Sequence, residues 1–304
     1  MKRTVKVGNV LMGGGTVSVQ SMTTVKTSDV EKSVAQILAL EAAGCDVARV
    51  AVSDEADAYA LRSVADGVHI PVVADVHFSA KLAVLAVENG ASKLRINPGN
   101  IGGEREIALV ADCVKAHGVP VRVGANTGSI EKHFLERYGR STEALVGSAL
   151  YNAEILEKHG VHDIVLSVKA SDVPLTVEAY TMLAERCGYP LHLGVTEAGT
   201  EEMGVVKSSI GIGSLLLKGI GDTIRVSLSA DPVKEVYAAH DILRACGLEK
   251  DYVEVVSCPT CGRCRYDCIG LAERVNARVR TVRKKLKVAV MGCVVNGPGE
   301  AKEC

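Results

Sequence analysis

The chain has little aromatic character: tryptophan is absent, and aromatic residues make up only 3% of its 304 positions. Single-stranded nucleic acid is held largely by bases stacking on aromatic rings, so this composition argues against such a partner. Charge of one sign is lacking too. Lys and Arg number 35 against 36 Asp and Glu, for a formal net charge of −1, which leaves no broad footprint for a phosphate backbone. Long hydrophobic runs are also missing, and the stretch around Val288–Met291 falls far short of a membrane span. The opening MKRTVKVGNV carries basic residues without an apolar segment behind them, so no secretory signal is expected. No dinucleotide-binding fingerprint stands out, and electrons for any redox step must come from outside the chain.

What the chain does have is cysteine. Cys45, Cys113, Cys187 and Cys246 are scattered singly among apolar and helical neighbours and read as structural thiols. The other six fall at 258, 261, 264, 268, 293 and 304. Clustered cysteines in a large chain without a signal point to metal binding in a reducing, cytoplasmic setting rather than to a disulfide scaffold.

Short β-branched runs alternate with segments of helical period as far as about residue 240. The spacing predicts eight strands, beginning near positions 17, 47, 71, 93, 121, 164, 191 and 223. Between the first two, SDVEKSVAQILALEAAG reads as a helix capped by Ser28 or Asp29 and closed by Gly44. Eight βα units in series favour an α/β fold of the closed (β/α)8 TIM-barrel type over an open sheet. The rhythm then stops. A strand-like VEVVS, the cysteine run, a basic amphipathic helix and a further strand suggest a small α+β domain. The expected division is residues 1–245 for the barrel and 246–304 for the cysteine-bearing domain.

Side chains two apart on a strand share a face. Read this way, the strands gather polar groups toward one end: Arg49, the pair Asp75 and His77, then Lys93, Arg95 and Asn97. Arg122 and Asn126, Lys169 and Ser171, Glu197, and Arg225 and Ser227 follow. Barrel sites form where the strands end. Five cations (Arg49, Arg95, Arg122, Lys169, Arg225) would meet there only Asp75 and Glu197 as evident carboxylates, and buried excess cations require an anion such as phosphate or diphosphate. Two glycine-rich segments, INPGNIGGERE and SSIGIGSLLL, are expected to open helices and offer N–H groups to it.

CPTCGRCRYDC spaces Cys258, Cys261, Cys264 and Cys268 as in a bacterial ferredoxin, although Ile269 stands where that run has Pro. MGCVVNGPGEA adds Cys293 and Glu300. Spacing leaves open four local cysteines in a ferredoxin-like electron-transfer module, two of them with Cys293, or a zinc site.

The motifs SMTT, VADVHF, LRINPGN, VRVGANTGS, SVKASD, LGVTEAG, SSIGIGSLLLKGIGDTIRVSLS, VSCPTCGR and VMGCVVNGPGEA, in that order, resemble the 4-hydroxy-3-methylbut-2-enyl diphosphate synthases of the non-mevalonate isoprenoid pathway. The resemblance covers essentially the whole chain. It implies a [4Fe–4S] cluster held by Cys258, Cys261, Cys293 and Glu300, with Cys264 and Cys268 as departures from the family. It further implies reductive ring opening of 2-C-methylerythritol 2,4-cyclodiphosphate, with Arg49, Arg95, Arg122, Lys169, Arg225, Asn97, Asn126 and Ser227 holding the diphosphate. Asp75, His77, Glu197 and Glu300 are then the candidate catalytic groups. A reduced flavodoxin or ferredoxin as donor and a homodimer with a shared site are implied as well. The chain ends shortly after Glu300 where the family continues, so it reads as C-terminally truncated.

Overall fold

The computed structural model describes residues 3–128, 130–295 and 297. These fall into two compact units, one ending at Cys246 and the other beginning at Gly247.

The first unit opens with a hairpin that the sequence reading missed. β1 (Val5–Val7) pairs antiparallel with β2 (Val10–Met12) across a turn in which Gly8 takes φ +56°. The signal was present in VKVGNVLM, where two short alternating runs flank a Gly-Asn pair. Val5, Val7 and Met12 pack on Val47, Val73 and Val165 near the starts of three barrel strands. The hairpin therefore closes the N-terminal end of the barrel with apolar side chains.

Eight parallel strands follow: β3 (Ser18–Met22), β4 (Val47–Val52), β5 (Val72–Val76), β6 (Lys93–Ile96), β7 (Val121–Asn126), β8 (Ile164–Lys169), β9 (His192–Leu193) and β10 (Thr223–Ile224). Their order in the sheet is β8-β7-β6-β5-β4-β3-β10-β9, and a parallel bridge from Leu166 to Leu191 brings the two edges together. The barrel is thus nearly closed, as expected. The last two strands are shorter than the sequence suggested. Their backbones converge at Gly194, where a Cβ would stand 2.6 Å from Lys169 Nζ and 2.7 Å from the Arg225 carbonyl oxygen.

The helices are α1 (Val30–Ala42), α2 (Glu55–Asp66), α3 (Ala80–Glu88), α4 (Glu104–His117), α5 (Lys132–Tyr138), α6 (Thr142–Lys158), α7 (Val173–Arg186), α8 (Glu201–Leu216) and α9 (Pro232–Ala245). Their starts follow from local chemistry. The side chains of Asp29, Asp54, Ser79, Ser141, Asp172 and Asp231 each accept a backbone N–H of the first turn. α1 buries Ser33, Ile37 and Leu40 at helical spacing against the strands. The main core lies between these helix faces and the outward side chains of the strands.

In the second unit β11 (Val253–Ser257) and β12 (Leu286–Val290) run parallel, joined through α10 (Cys268–Val279). Leu271, Ala272 and Val275 of α10 pack with Val255 and Val290 around buried Cys258 and Cys268. Ser257 pairs with Val290, so the segments carrying Cys258 and Cys293 leave adjacent strand ends in the same direction. Among the described residues, no helix is long and apolar enough to cross a membrane.

Candidate active site

The alternation of β4 to β8 turns Arg49, Asp75, Arg95, Arg122 and Lys169 into the barrel, and all five are buried. Asp75 stands opposite Arg95 in the ladder, and Arg95 opposite Arg122. Asp75 Oδ1 lies 3.2 Å from Arg95 Nη1, and Oδ2 lies 3.7 Å from Arg49 Nε. Burial alone would raise this carboxyl. Arg49, a hydrogen bond from His77, Arg95 and Arg122 outweigh it and hold Asp75 well below the usual carboxylate range. Arg49 is itself pushed down to about 10 by burial, and it turns its Nε and Nη2 to the sulfur of Met22 at 3.1 and 2.9 Å. A neutral sulfur is a weak acceptor for a guanidinium.

Several polar atoms in this interior meet no protein partner. Arg122 Nε and Nη1, Arg95 Nε and both side-chain polar atoms of Asn97 are buried without a hydrogen-bond partner. Burial, then the neighbouring Arg49 and Arg95, drive Arg122 well below its ordinary value. Lys169 is lowered by burial and by Arg122, Arg225, Arg49 and Arg95. This interior carries surplus positive charge and is suited to an anion with several oxygens.

His77 follows β5 and is half exposed. Its Nε2 lies 2.7 Å from Arg95 Nη1. The same nitrogen lies 3.5 Å from Asp75 Oδ1, so the ring stands between the arginine and the carboxylate. Glu197 is exposed, with φ +51°, a left-handed conformation that is uncommon outside glycine. Asn126 ends β7 opposite Lys169, and Ser227 is half buried after β10.

Three expectations need correction. Lys93 does not belong to this site: its Nζ points to Gln20 Oε1 (3.4 Å) and to the sulfur of Met12 (3.7 Å) in the closing hairpin, wholly buried. The pleat was read correctly, but Lys93 begins its strand and therefore lies at the far end. The segment SSIGIGSLLL does not open a helix; it runs within α8. A Cβ on Gly211 would come within 2.7 Å of Val195, so that glycine serves close helix packing. The carboxylates, finally, are not limited to Asp75 and Glu197. Buried Glu235 of α9 meets Arg225 at 3.4 Å through both oxygens and also accepts Ser21 Oγ at 3.0 Å and the Leu228 N–H at 3.0 Å. A lone Glu in an amphipathic helix gave no sign of this in the sequence. INPGNIGGERE does open α4, with Gly103 at its N-cap.

In the second unit, Thr260 adopts φ +67° between Cys258 and Cys261, a costly conformation for a β-branched residue that folds the CPTC turn back on itself. Hydrogen bonds from the Arg263 backbone and side chain draw the Cys261 thiol below its ordinary value. The Arg263 guanidinium feels Cys261, Cys293 and Cys258 together. Thiols are the donors that iron–sulfur clusters take, so the residue types suit such ligation. Among the described residues they are not drawn about one common centre, and Glu300 lies outside the described residues, as does Cys304. Cys264 and Cys268 are engaged otherwise, with Sγ atoms directed to the carbonyls of Tyr266 (3.2 Å) and Val290 (3.6 Å).

The GcpE TIM-barrel domain family matches residues 2–240, and the GcpE protein C-terminal domain family matches residues 254–304. A 4-hydroxy-3-methylbut-2-en-1-yl diphosphate synthase (flavodoxin) from Caldanaerobacter subterraneus subsp. tengcongensis is 56% identical over 100% of this chain and 86% of its own length. The enzyme of the same name from Desulfotalea psychrophila is 53% identical over 99% of this chain and 84% of its own. Among solved structures, a truncated 3-deoxy-D-arabino-heptulosonate 7-phosphate synthase from Thermotoga maritima superposes with TM-score 0.59 at 16% identity, covering 81% of this chain and 94% of that one. Dihydropteroate synthase from Stenotrophomonas maltophilia gives 0.57 at 17%, covering 80% and 97%. These two likenesses speak for the barrel fold alone. Together with the cation-lined barrel and the cysteine turn, the two matches across the chain show that it belongs to the GcpE family.

Proposed function

We propose that this chain carries out the reductive ring opening and dehydration of 2-C-methylerythritol 2,4-cyclodiphosphate to 4-hydroxy-3-methylbut-2-enyl diphosphate, an isoprenoid precursor. The conversion takes up two electrons and two protons, opens the ring at a carbon–oxygen bond and releases a hydroxyl as water. The single observation that carries the reading is Arg122: a buried guanidinium with two nitrogens lacking any protein acceptor, ringed by further cations. It is a donor array that only an anionic substrate completes.

The division of labour follows from position. Arg49, Arg95, Arg122, Lys169 and Arg225, with Asn97, Asn126 and Ser227, bind the diphosphate and so use binding remote from the reacting carbons to hold those carbons in place. Asp75 orients Arg49 and Arg95. His77 sets its ring nitrogen against Arg95 and keeps that guanidinium turned inward. Glu197, exposed after β9, is the group best suited to hold and pass a proton to the departing hydroxyl. Cys258, Cys261, Cys293 and Glu300 would hold a [4Fe–4S] cluster, which when bound supplies the electrons and a Lewis-acidic iron. A carboxylate ligand binds iron less firmly than a thiolate and leaves that iron accessible to substrate. Reduced flavodoxin or ferredoxin is the donor. The enzyme acts in the cytoplasm as a homodimer with a site shared between subunits. A ferredoxin-like module built on Cys258, Cys261, Cys264 and Cys268 would leave the buried cations without a purpose.

The test is anaerobic iron and sulfide analysis with turnover of the cyclic diphosphate by the reduced chain. About four irons per chain, product formation, and loss of both in Cys293→Ala but not in Cys264→Ser are expected. Iron retained after loss of Cys293 would sink the ligand assignment, and a loaded chain without turnover would sink the reaction.

A further inference from the structure

The longest connection of the barrel, between β7 and β8, carries a polar side chain that neither composition nor motif singled out. Asn152 of α6 is fully buried. Its Oδ1 accepts the Gly99 N–H at 2.8 Å. Its Nδ2 donates to Glu131 Oε1 at 2.5 Å and to the Ser148 carbonyl at 2.9 Å. One amide therefore ties together two loops at the strand ends. Gly99 lies in the 3-10 turn Pro98–Asn100 directly after Asn97. Glu131 caps α5 and closes the loop that follows Asn126. The approach is close enough to exclude a side chain at Gly99, where a Cβ would fall 2.9 Å from Glu131 Oε1 and 3.3 Å from Asn152 Oδ1.

We propose that Asn152, working against Glu131, is a positioning residue that locks these two loops in register and so presents Asn97 to the diphosphate. This rests on the diphosphate reading above. Asn97 cannot be aimed by partners of its own, because both its polar atoms are buried and unpartnered. Its direction is set by the backbone of the turn that begins beside it, and the Gly99 N–H of that turn is held by Asn152. The chemistry is directional: the bridge needs an acceptor toward Gly99 and a donor toward Glu131, and an amide at 152 supplies both.

Exchanging the two groups tests this. Asn152→Asp keeps the acceptor for Gly99 but sets a carboxylate against Glu131. Adding Glu131→Gln restores a donor between them, while the Ser148 carbonyl loses its donor in both variants alike. Binding of 2-C-methylerythritol 2,4-cyclodiphosphate by calorimetry at pH 8 is expected to weaken about tenfold in Asn152→Asp and to return to within about threefold of the parent chain in the double variant. A merely structural role would weaken the double variant as much as the single. Parent-like affinity in Asn152→Asp, or a double variant no tighter than the single, overturns the proposal. Failure of the parent chain itself to bind the cyclic diphosphate overturns the functional reading on which it rests.

Discussion

Arg225 and Glu235 face each other across the end of the barrel, guanidinium to carboxylate, with both carboxylate oxygens 3.4 Å from the arginine nitrogens. The acid comes from α9 and the base from the residue directly after β10. Arg225 is thus hydrogen-bonded to a helix carboxylate, and Glu235 also fastens Ser21 and the Leu228 backbone.

Removing this acid leaves a largely buried cation unpaired. Glu235→Gln is expected to lower stability by about 3 kcal/mol, with much of the loss recovered on adding the cyclic diphosphate. Denaturant melts with and without ligand measure both. Unchanged stability would mean that Arg225 swings out to water.

Arg122 behaves in the opposite way, since its Nε and Nη1 have no hydrogen bond to lose. Replacing it with Met, of similar length and no charge, is expected to raise ligand-free stability by about 1–3 kcal/mol while weakening diphosphate binding at least a hundredfold. Thermal melts and calorimetry on the same samples test the pair of outcomes. A destabilised Arg122→Met chain would show that the guanidinium has an internal partner.

His192 provides a pH dependence of definite sign. It is wholly buried, its Nε2 has no partner, and burial with the nearby cations Arg122, Lys169, Lys93 and Arg49 lowers it well below its ordinary value of 6.5. The unfolded chain therefore binds a proton that the folded chain refuses, and stability falls as pH drops below 6.5. The melting temperature is expected to decline between neutral pH and about pH 5 in the parent chain and to decline less in His192→Asn. Parallel declines in the two would place the acid sensitivity elsewhere.

Lys169 predicts proton uptake on binding. Burial and four guanidinium neighbours lower it well below 10.5, and a diphosphate brings the opposite charge. Calorimetry in buffers of differing ionisation enthalpy at mildly alkaline pH is expected to show net protons taken up with the ligand. Lys169→Met is expected to abolish that uptake. Equal uptake in both chains would assign the proton to another group.

The barrel was legible because its signal is local and repeated. A period of two along β4 to β8 fixes which side chains enter the interior, and capping residues such as Asp29, Asp172 and Asp231 mark the helix starts. What escaped was set by contacts distant in sequence. Glu235 reaches Ser21 across 214 positions, and Asn152 reaches Gly99 across 53, with no pattern in either neighbourhood to announce them. Lys93 was misplaced because alternation gives the face of a strand but not the depth along it. The glycines of α8 were misread because close packing and phosphate binding ask for the same small residue.

The hairpin of Val5–Met12 gives the barrel a floor. With Val5, Val7 and Met12 filling that end, the buried arginines can be reached only from the opposite one, so entry and exit of an anion would share a single mouth.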